Sequence, residues 1–454
     1  MDWLINIIGF LLVIGVLVTV HEFGHFWVAR RVGVKVLRFS VGFGQPLLKR
    51  TGADGTEYVL AAIPLGGYVK MLDEREAPVD SAERDQAFNQ KPLWARNAVI
   101  LAGPMFNFAL AIIAYWMVFV IGATELRPVL GPVIPESPAA EAGLAEGDEL
   151  LRINNVEVDA WDQAIMAMLE AAGDDPIAVR VRRGSGAEAT MQLDLADQRL
   201  FDEEGEVLNI IGLTPWRPSI EPRINTVVSG GAAAEAGLQS GDRIVAVNGN
   251  PIDTWSALVE RIRPLADQPA EVVVARAGEE FTVQVELQGR GEGESRIGLL
   301  GVTPVVPEGL FESMRHEVRY GVLESVPMAF AASWRAAALT VEVLFKMVVG
   351  EASVKNLSGP INIAQYAGDS VSLGIIPFLK FLAIVSISLG ILNLMPVPVL
   401  DGGHLLYNTI EWIRGRPLSE SAQGVGQQIG MALLFMLMGL AFYNDLYRLF
   451  GAGS

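Results

Sequence analysis

Four long stretches of the chain carry no charged side chain: Trp3–Val20, Asn97–Thr124, Phe381–Leu400 and Ser421–Asn444, of 18, 28, 20 and 24 residues. A helix needs about 20 mostly apolar residues to cross a bilayer. The pattern therefore predicts four transmembrane helices. The first stretch also has the length of a signal peptide, but it opens with Asp2 in place of basic residues, and no small-residue cleavage site follows it.

A second pattern, apolar runs interrupted by charges, fills residues 309–370. Arg335, Glu342 and Lys346 recur among the apolar positions, as in amphipathic helices that lie on a membrane surface. An alternative is that Val322–Val349 forms a further span, which would invert the topology of everything after it.

Residues 138–148 recur almost unchanged as residues 232–242, an offset of 94 positions. This period is too long for a solenoid and predicts two tandem copies of a small domain. The repeated segments resemble PDZ domains, which bind extended peptides by adding a strand to a sheet edge. Candidate groove strands precede the repeats, near Val129–Val133 and Arg223–Val227. The alternative, that the copies only restrict access by their bulk, stays open.

Charge separates the repeat region from the rest of the chain. Residues 125–308 hold 32 acidic residues against 14 arginines, while the remainder holds 20 acidic and 20 basic residues. An acidic insert argues against nucleic acid as a partner. Eleven basic residues lie between the first two spans, and Arg414 and Arg416 lie between the last two. Because basic loops stay cytoplasmic, we expect the repeat region and both termini on the outer side.

The candidate chemistry lies at the end of the first span. The chain has no cysteine and four histidines, which excludes thiolate metal sites and cysteine nucleophiles. His21, Glu22 and His25 form an HExxH sequence, in which positions i and i+4 share one helix face and can hold one metal ion. Glu22 is then placed to act as a base. A polar helix end at the headgroups would explain one charge there, but not two histidines at ligand spacing.

A third metal ligand is expected far along the chain. Asp401 is the first charge after the third apolar stretch and follows Pro396 and Pro398, which break a helix. Broken helices at membrane depth occur where they line a cavity. At 1.5 Å per residue, His21 and Asp401 lie roughly 26 and 30 Å along their spans, so both reach the cytoplasmic side. His404 is a rival ligand, ranked second because it lies beyond the Gly402-Gly403 turn.

These motifs together resemble the site-2 protease family of intramembrane zinc metalloproteases. The resemblance covers essentially the whole chain and is carried by the segments His21–Arg31, Ile63–Met71, Gly103–Asn107, Ser358–Pro360 and Asn393–Gly403. It implies a Zn²⁺ cofactor and cleavage of single-span proteins inside the membrane. The substrates it implies are an anti-sigma factor first cut on the periplasmic side, and remnant signal peptides.

The resemblance also implies roles for two segments near the metal. Ile63–Met71 is expected to be a membrane-dipping β-hairpin that presents substrate as a strand, through Gly66, Gly67, Tyr68 and Val69. Asn393 is expected to contact substrate. From the residues themselves, the Pro396–Pro398 segment can also pair with an unwound substrate backbone.

The expected architecture is a multi-span α-helical protein of the bacterial inner membrane, with four transmembrane helices, a β-hairpin and two tandem periplasmic PDZ domains of α+β class. The expected boundaries are 1–125, 126–218, 219–308, 309–370 and 371–454. Two other functions compete. A zinc transporter would need several polar clusters along a path, and a membrane-anchored PDZ scaffold leaves the HExxH sequence and Asp401 unexplained.

Overall fold

The computed structural model describes residues 2–451 except 174, 197–199, 201–206, 292–295, 308 and 311. Its helices are α1 (Asp2–Arg31), α2 (Leu93–Ile121), α3 (Pro138–Glu141), α4 (Trp161–Ala171), α5 (Val207–Ile211), α6 (Ala232–Glu235), α7 (Trp255–Ile262), α8 (Ser325–Val349), α9 (Pro360–Leu373), α10 (Ile375–Leu394), α11 (Asp401–Arg414) and α12 (Glu420–Gly451). Short 3-10 turns lie at Arg84–Gln86, Phe88–Gln90, Glu312–Met314 and Val354–Asn356.

Sixteen strands are described. They are β1 (Val36–Thr51), β2 (Glu57–Met71), β3 (Ala123–Leu126), β4 (Glu149–Ile153), β5 (Val156–Glu157), β6 (Ile177–Arg182), β7 (Glu188–Leu193), β8 (Ile224–Val227), β9 (Arg243–Val247), β10 (Asn250–Pro251), β11 (Pro269–Arg276), β12 (Glu279–Glu286), β13 (Gln288–Arg290), β14 (Ile297–Leu299), β15 (Val302–Pro304) and β16 (Arg315–Val318). The chain divides into two compact units, one mostly helical and one built on the repeats.

The helical unit comprises residues 1–124, 199–207 and 317–445. Five described helices are long and apolar enough to cross a membrane: α1, α2, α8, α10 and α12. Four of them overlap the four predicted spans. The fifth, α8, is the segment whose sequence allows either a surface helix or a further span, and by length and composition it qualifies as a span.

Glycines let α2 lie at close range between two neighbouring helices. A Cβ atom at Gly24 of α1 would lie 2.5 Å from the Ala102 carbonyl oxygen of α2. On the other side, a Cβ at Gly390 of α10 would lie 3.3 Å from the Pro104 carbonyl oxygen. Small residues allow such backbone approach between apolar helices, where packing supplies the association energy. Helix α2 is therefore the central support for both α1 and α10.

The third apolar stretch, Phe381–Leu400, is interrupted before its end, at the break that the two prolines predict. Helix α10 stops at Leu394, residues 395–400 form turns, and a separate helix begins at Asp401. The break follows from Pro396 and Pro398, whose nitrogens cannot donate the hydrogen bonds that would continue the helix. The chain can therefore present Asp401 at the start of a new helix rather than along α10.

The predicted hairpin is a folded sheet rather than a simple pair of strands. Residues 36–41 of β1 pair on one side with residues 67–71 of β2 and on the other with residues 57–60. Residues 46–51 pair in turn with 57–61. Within the described residues, segment 67–71 therefore lies at an edge of this sheet, with one side free of strand partners.

The repeat unit comprises residues 125–198, 208–316 and 446–454. Each copy builds a four-stranded antiparallel sheet, in the orders β5-β4-β6-β7 and β10-β9-β11-β12. Equivalent asparagines, Asn154 and Asn248, take up left-handed conformations with φ of 47° and 48° in the turn after the repeated strand. Asparagine tolerates that conformation better than most residues, which explains its recurrence at this position. The sequence repeat is thus a repeat of structure.

The predicted groove strands are only partly free. Residues 129–133 form no continuous strand and make only isolated bridges, at Val129 and Leu130. Strand β8 pairs with β15 along one edge, while Ile224 exchanges backbone hydrogen bonds with residues 241 and 242 on the other. Because both edges of β8 are used, it is not an open edge for peptide addition.

Candidate metal centre and active site

The structure brings His21, His25 and Asp401 together in the helical unit. The two Nε2 atoms lie 3.2 Å apart, and Oδ2 of Asp401 lies 3.2 Å from Nε2 of His21 and 3.4 Å from Nε2 of His25. Both histidines are 9% exposed. Among the described residues, this is the one group of three whose ligand atoms lie close enough to hold a metal ion. The helix that carries the HExxH sequence and the start of the helix that carries Asp401 therefore meet in the structure.

Local sequence explains how each side chain reaches this point. His21 and His25 are one turn apart on α1, so their rings project from the same face. Asp401 is the first residue of α11, whose start packs tightly on the preceding turns. A Cβ atom at Gly402 would collide with the Met395 carbonyl oxygen, and one at Gly403 with the Val397 carbonyl oxygen. Only glycine permits this tight return.

The protonation of His25 shows that the cluster suits a cation. Its Nδ1 lies 2.7 Å from the Val99 carbonyl oxygen, which can only accept a hydrogen bond. In a neutral imidazole the proton is then on Nδ1, and Nε2 directs a lone pair toward Asp401 Oδ2. That oxygen is buried and accepts no hydrogen bond from the described residues. Lone pairs held this close need a cation among them, either a proton or a metal ion, so the three donor atoms fit a metal.

Helix α2 supports both histidines along one face. Val99, Gly103 and Asn107 follow one another at four-residue spacing. Val99 contacts His25, Gly103 lies against the rings of both histidines, and Asn107 contacts His21. A Cβ atom at Gly103 would collide with Nε2 of His25 and lie 2.7 Å from Cε1 of His21. Any larger residue at position 103 would therefore occupy the space of the cluster.

The edge segment of the hairpin lies against the proposed base. A Cβ atom at Gly67 would lie 3.1 Å from Cγ of Glu22 and 3.0 Å from Cγ1 of Val18. This places Gly67 beside Glu22, so the edge strand runs past the residue expected to act as base. Gly66 has φ of 154°, and a side chain there would enter the Phe43 ring.

Tyr68 and Val69 are used within the sheet. The Tyr68 hydroxyl accepts a hydrogen bond from Arg38 at 3.1 Å, and its ring stacks on Phe43 with centroids 6.3 Å apart. Val69 packs with a small core that contains Phe26. Their side chains hold the edge strand in place. The Val69 backbone N–H is directed at the Glu22 carboxylate, and the outer side of this edge has no strand partner among the described residues.

Three other predicted residues lie on the chain segment that leads to Asp401. Asn393 is on the last turn of α10 and is half-buried, and its side chain has no hydrogen-bond partner in the described part of the chain. Pro396 is exposed and Pro398 is half-buried in the turns that follow. The rival ligand, His404, packs edge-on against Tyr407 instead, with ring centroids 6.3 Å apart. The geometry therefore favours Asp401 over His404.

A polar network fixes α11 relative to α2. Arg96 donates to both carboxylate oxygens of Glu411, at 2.6 and 3.2 Å, in a pair that is 12% and 20% exposed. Asn408 donates to the Asn97 side chain at 2.7 Å. A bidentate arginine–carboxylate pair fixes orientation as well as distance. The helix that carries Asp401 is thus tied to the helix that supports both histidines.

The part that α2 plays in the site goes beyond the sequence predictions above. Asn107 gives a signal for it, because a polar side chain inside an apolar span is costly and usually functional. The contribution of Val99 could not be foreseen, because it acts through its backbone carbonyl.

Comparison with known proteins gives a consistent result. Residues 9–437 match peptidase family M50. A Vibrio cholerae protein that carries the name of a zinc metalloprotease is 43% identical over 99% of this chain and 100% of its own length. The "Regulator of sigma-E protease RseP" of Escherichia coli K12 is also 43% identical, over the same shares. The protein of that name from Salmonella typhimurium is 44% identical over 98% of this chain and 99% of its own.

Among solved structures, the PDZ domain of an SdrC-like protein from Listeria monocytogenes aligns with 20% of this chain and 92% of its own, at 14% identity and a TM-score of 0.16. A likeness at that level does not establish a shared fold. The description of the repeats therefore depends on their own sheets and turns.

Proposed function

This chain belongs to peptidase family M50 and is a zinc metalloprotease, and we propose that it cuts peptide bonds inside the membrane-spanning segments of other proteins. The observation that carries this proposal is the buried cluster of two imidazoles and one carboxylate, set in a frame of helices apolar enough to span a bilayer. Ionisable groups at such depth mark functional sites.

His21, His25 and Asp401 are the proposed zinc ligands, through Nε2, Nε2 and Oδ2. Three protein ligands leave the fourth position open, as in catalytic zinc sites. When bound there, zinc supplies Lewis acidity, which activates water near neutral pH and polarises a carbonyl.

Glu22 is the proposed general base. It follows His21 directly and lies beside the edge strand at Gly67, so it faces the space between that strand and the cluster. A carboxylate in that position can take a proton from water and deliver it to the leaving amine. Glu22 itself is not a ligand in this proposal, since the donor atoms that converge belong to the three other residues.

Substrate presentation is assigned to the hairpin edge and to the turns after α10. A transmembrane helix hides its peptide bonds in internal hydrogen bonds, so it must unwind before it can be cut. The edge at Gly66–Val69 offers backbone groups on one side to such an unwound segment. Asn393, Pro396 and Pro398 line the other approach, and the unpaired amide of Asn393 suits a contact with a peptide group.

The proposed topology has four spans, namely α1, α2, α10 and α12, in the inner membrane of a bacterium. The loops rich in basic residues face the cytoplasm, and the acidic repeat region and both termini face the periplasm. The active site then lies near the cytoplasmic side. Helix α8 is assigned to the membrane surface in this scheme because Arg335, Glu342 and Lys346 interrupt its apolar face.

The proposed role of the two PDZ-like domains, residues 126–218 and 219–308, is to control which substrates reach the site. They can bind peptide C-termini at a sheet edge or exclude bulky outer domains. We propose that the substrates are an anti-sigma factor already trimmed outside the membrane and remnant signal peptides, which agrees with the names of the sigma-E regulators that resemble this chain.

Two observations weigh against the other functions. A zinc transporter needs further ligand groups along a path, and the described residues hold a single such cluster. A PDZ scaffold has no use for three metal-binding side chains in a buried position. A membrane protease uses both the metal-binding side chains and the PDZ-like domains.

The proposal is tested by incubating the purified full chain in bilayers with a single-span substrate, with and without a zinc chelator, and locating any cut by mass spectrometry. We expect a cut within the apolar segment that stops with chelator and resumes when zinc is restored. A cut confined to the flanking soluble segments, or one that chelation leaves unchanged, would contradict it. Glu76 is an exposed acid in the predicted cytoplasmic loop between α1 and α2. The Glu76→Gln variant serves as a control that should cut normally.

A further inference from the structure

One buried polar group beside the metal cluster has no role in the chemistry proposed above. Asn107 is 0% exposed and lies on α2, with its side-chain nitrogen 3.1 Å from Nδ1 of His21. Its side-chain oxygen is buried and has no hydrogen-bond partner among the described residues. An unpaired buried acceptor is destabilising, so a partner for this oxygen would stabilise the site.

The orientation of the amide decides where His21 carries its proton. With the amide nitrogen facing Nδ1, that ring atom accepts a hydrogen bond, and a neutral imidazole then holds its proton on Nε2, pointing into the cluster. A metal needs the opposite arrangement, with the proton on Nδ1 and a lone pair on Nε2. Half a turn of the amide exchanges the two atoms and places the unpaired oxygen where it can accept the Nδ1 proton. Oxygen and nitrogen of an amide are distinguished by such networks and not by shape.

His25 already has the Nδ1 partner that a metal-binding histidine needs. Its Nδ1 already faces an obligatory acceptor, the Val99 carbonyl oxygen, which fixes the tautomer that a metal requires. Metal-binding histidines usually donate their second ring N–H to a carbonyl or carboxylate, and these partners orient the ring and raise metal affinity. His21 has no backbone carbonyl in this role, and Asn107 is the group in its place.

We propose that Asn107 is a positioning residue for metal binding, which holds the His21 ring and selects its tautomer by accepting the Nδ1 proton on its side-chain oxygen. This inference rests on the metal ligands proposed above. The backbone of Asn107 is anchored separately: Ser386 of α10 donates to its carbonyl oxygen at 2.8 Å. The side chain and the helix contact can therefore be tested independently.

The test measures zinc affinity of the purified full chain by competition with a chromophoric chelator, together with the melting temperature of each metal-free protein. Asn107→Leu removes the acceptor at similar volume and should weaken zinc binding about 10- to 100-fold. Asn107→Asp keeps an acceptor for the Nδ1 proton and should stay within about threefold of the original affinity. Ser386→Ala removes the anchor without touching the ring and should leave affinity unchanged.

Three results would overturn the inference. Unchanged zinc affinity in Asn107→Leu would remove any role, and equal losses in Asn107→Asp and Asn107→Leu would mean that the amide nitrogen, not the oxygen, is needed. A loss in Ser386→Ala equal to that in Asn107→Leu would indicate helix packing alone. If Asn107→Leu does not fold, Asn107→Asp decides by retaining or losing affinity. Should the unmodified chain bind no zinc, or His21→Ala keep full affinity, the ligand assignment itself fails first.

Discussion

Asp242 in the repeat unit and Asp401 in the helical unit both bury carboxylate oxygens, but they have opposite partners. Asp242 is 0% exposed and receives two hydrogen bonds from Arg276, at 2.6 and 2.7 Å, and one from the Gln239 amide at 2.8 Å. Burial raises the pKa of Asp242, yet these donors outweigh it and hold the pKa below its usual range. Oδ2 of Asp401 faces two imidazoles and accepts no hydrogen bond from the described residues.

The first repeat copy shows the same solution as the second. Asp148 is 1% exposed and pairs with Arg183 at 2.6 Å and with the Ala145 amide at 3.0 Å. The two copies thus use the carboxylate to close a turn, with an arginine and a backbone amide of the same domain as its donors. A buried carboxylate with such donors stabilises structure, whereas Oδ2 of Asp401 lies against two ring nitrogens and meets no arginine or backbone amide among the described residues. This difference is a reason to propose chemistry at Asp401 rather than at Asp242.

The largest effect is expected at the proposed base. Glu22→Gln should lower the cleavage rate by about 10²–10⁴-fold, the usual contribution of general acid–base catalysis. Zinc content should not change, because Glu22 is not among the converging donors. Activity and bound zinc are measured on the same sample. A variant that still cuts at a substantial fraction of the original rate would exclude Glu22 as the base.

The carboxylate that faces the imidazoles is the next test. Asp401→Asn replaces an anionic ligand with a neutral one and should weaken zinc binding by at least about 100-fold, more than loss of a supporting residue does. His404→Ala is the matched control, since it lies on the same helix, packs edge-on against Tyr407 and is not among the converging donors. Stoichiometric zinc in Asp401→Asn together with zinc loss in His404→Ala would show that the ligand was assigned to the wrong residue.

Removal of the repeat region separates selection from catalysis. Deletion of residues 128–305 should leave cleavage of a trimmed substrate intact and allow cleavage of the untrimmed form, because these residues contain no histidine or cysteine and hold none of the proposed ligands. Trimmed and untrimmed versions of one substrate are assayed side by side. A folded, zinc-loaded deletion that cuts neither form would mean that the repeats take part in the active state. If it still cuts only the trimmed form, selection lies elsewhere in the chain.

The smallest effect is expected where the buried carboxylate is fully paired. Arg276→Ala leaves Asp242 without its side-chain donor and should lower the unfolding free energy of the repeat unit by a small but measurable amount. Hydrogen exchange of strands β9 and β11 in the full chain measures this loss. Zinc affinity should be unchanged. Arg183→Ala should have the matching effect on the first copy, and zinc loss in either variant would remove the distinction between the two kinds of carboxylate.

The sequence was informative wherever chemistry depends on local spacing. The HExxH turn, the helix break at Pro396 and Pro398 and the repeat at 94 residues are each visible over a short window, and each corresponds to a structural feature. Asp401 could be paired with His21 because both end apolar stretches of similar length, which fixes their depth. The predicted ends of the apolar stretches do not match the ends of the helices, since α1 continues without a break through the charged residues up to Arg31.

The remaining features depend on tertiary contacts that no short window contains. The role of the Val99 carbonyl depends on α2 packing against α1, and backbone atoms leave no trace in a residue pattern. The folded hairpin sheet depends on how one strand pairs on both of its sides, and the closed edges of β8 have the same origin. The sequence leaves the location of α8 open, because its charges suit a membrane surface while its length suits a span.

X-ray absorption at the zinc edge of the purified full chain tests the nature of the cluster most directly. If His21, His25 and Asp401 hold the metal, the unmodified protein should contain one zinc per chain with a first shell of two imidazoles and oxygen. His21→Ala and Asp401→Asn should each change that shell or lose the metal, while His404→Ala should give the original spectrum. A zinc-loaded protein with a first shell that neither His21→Ala nor Asp401→Asn alters would place the metal elsewhere and contradict the assignment.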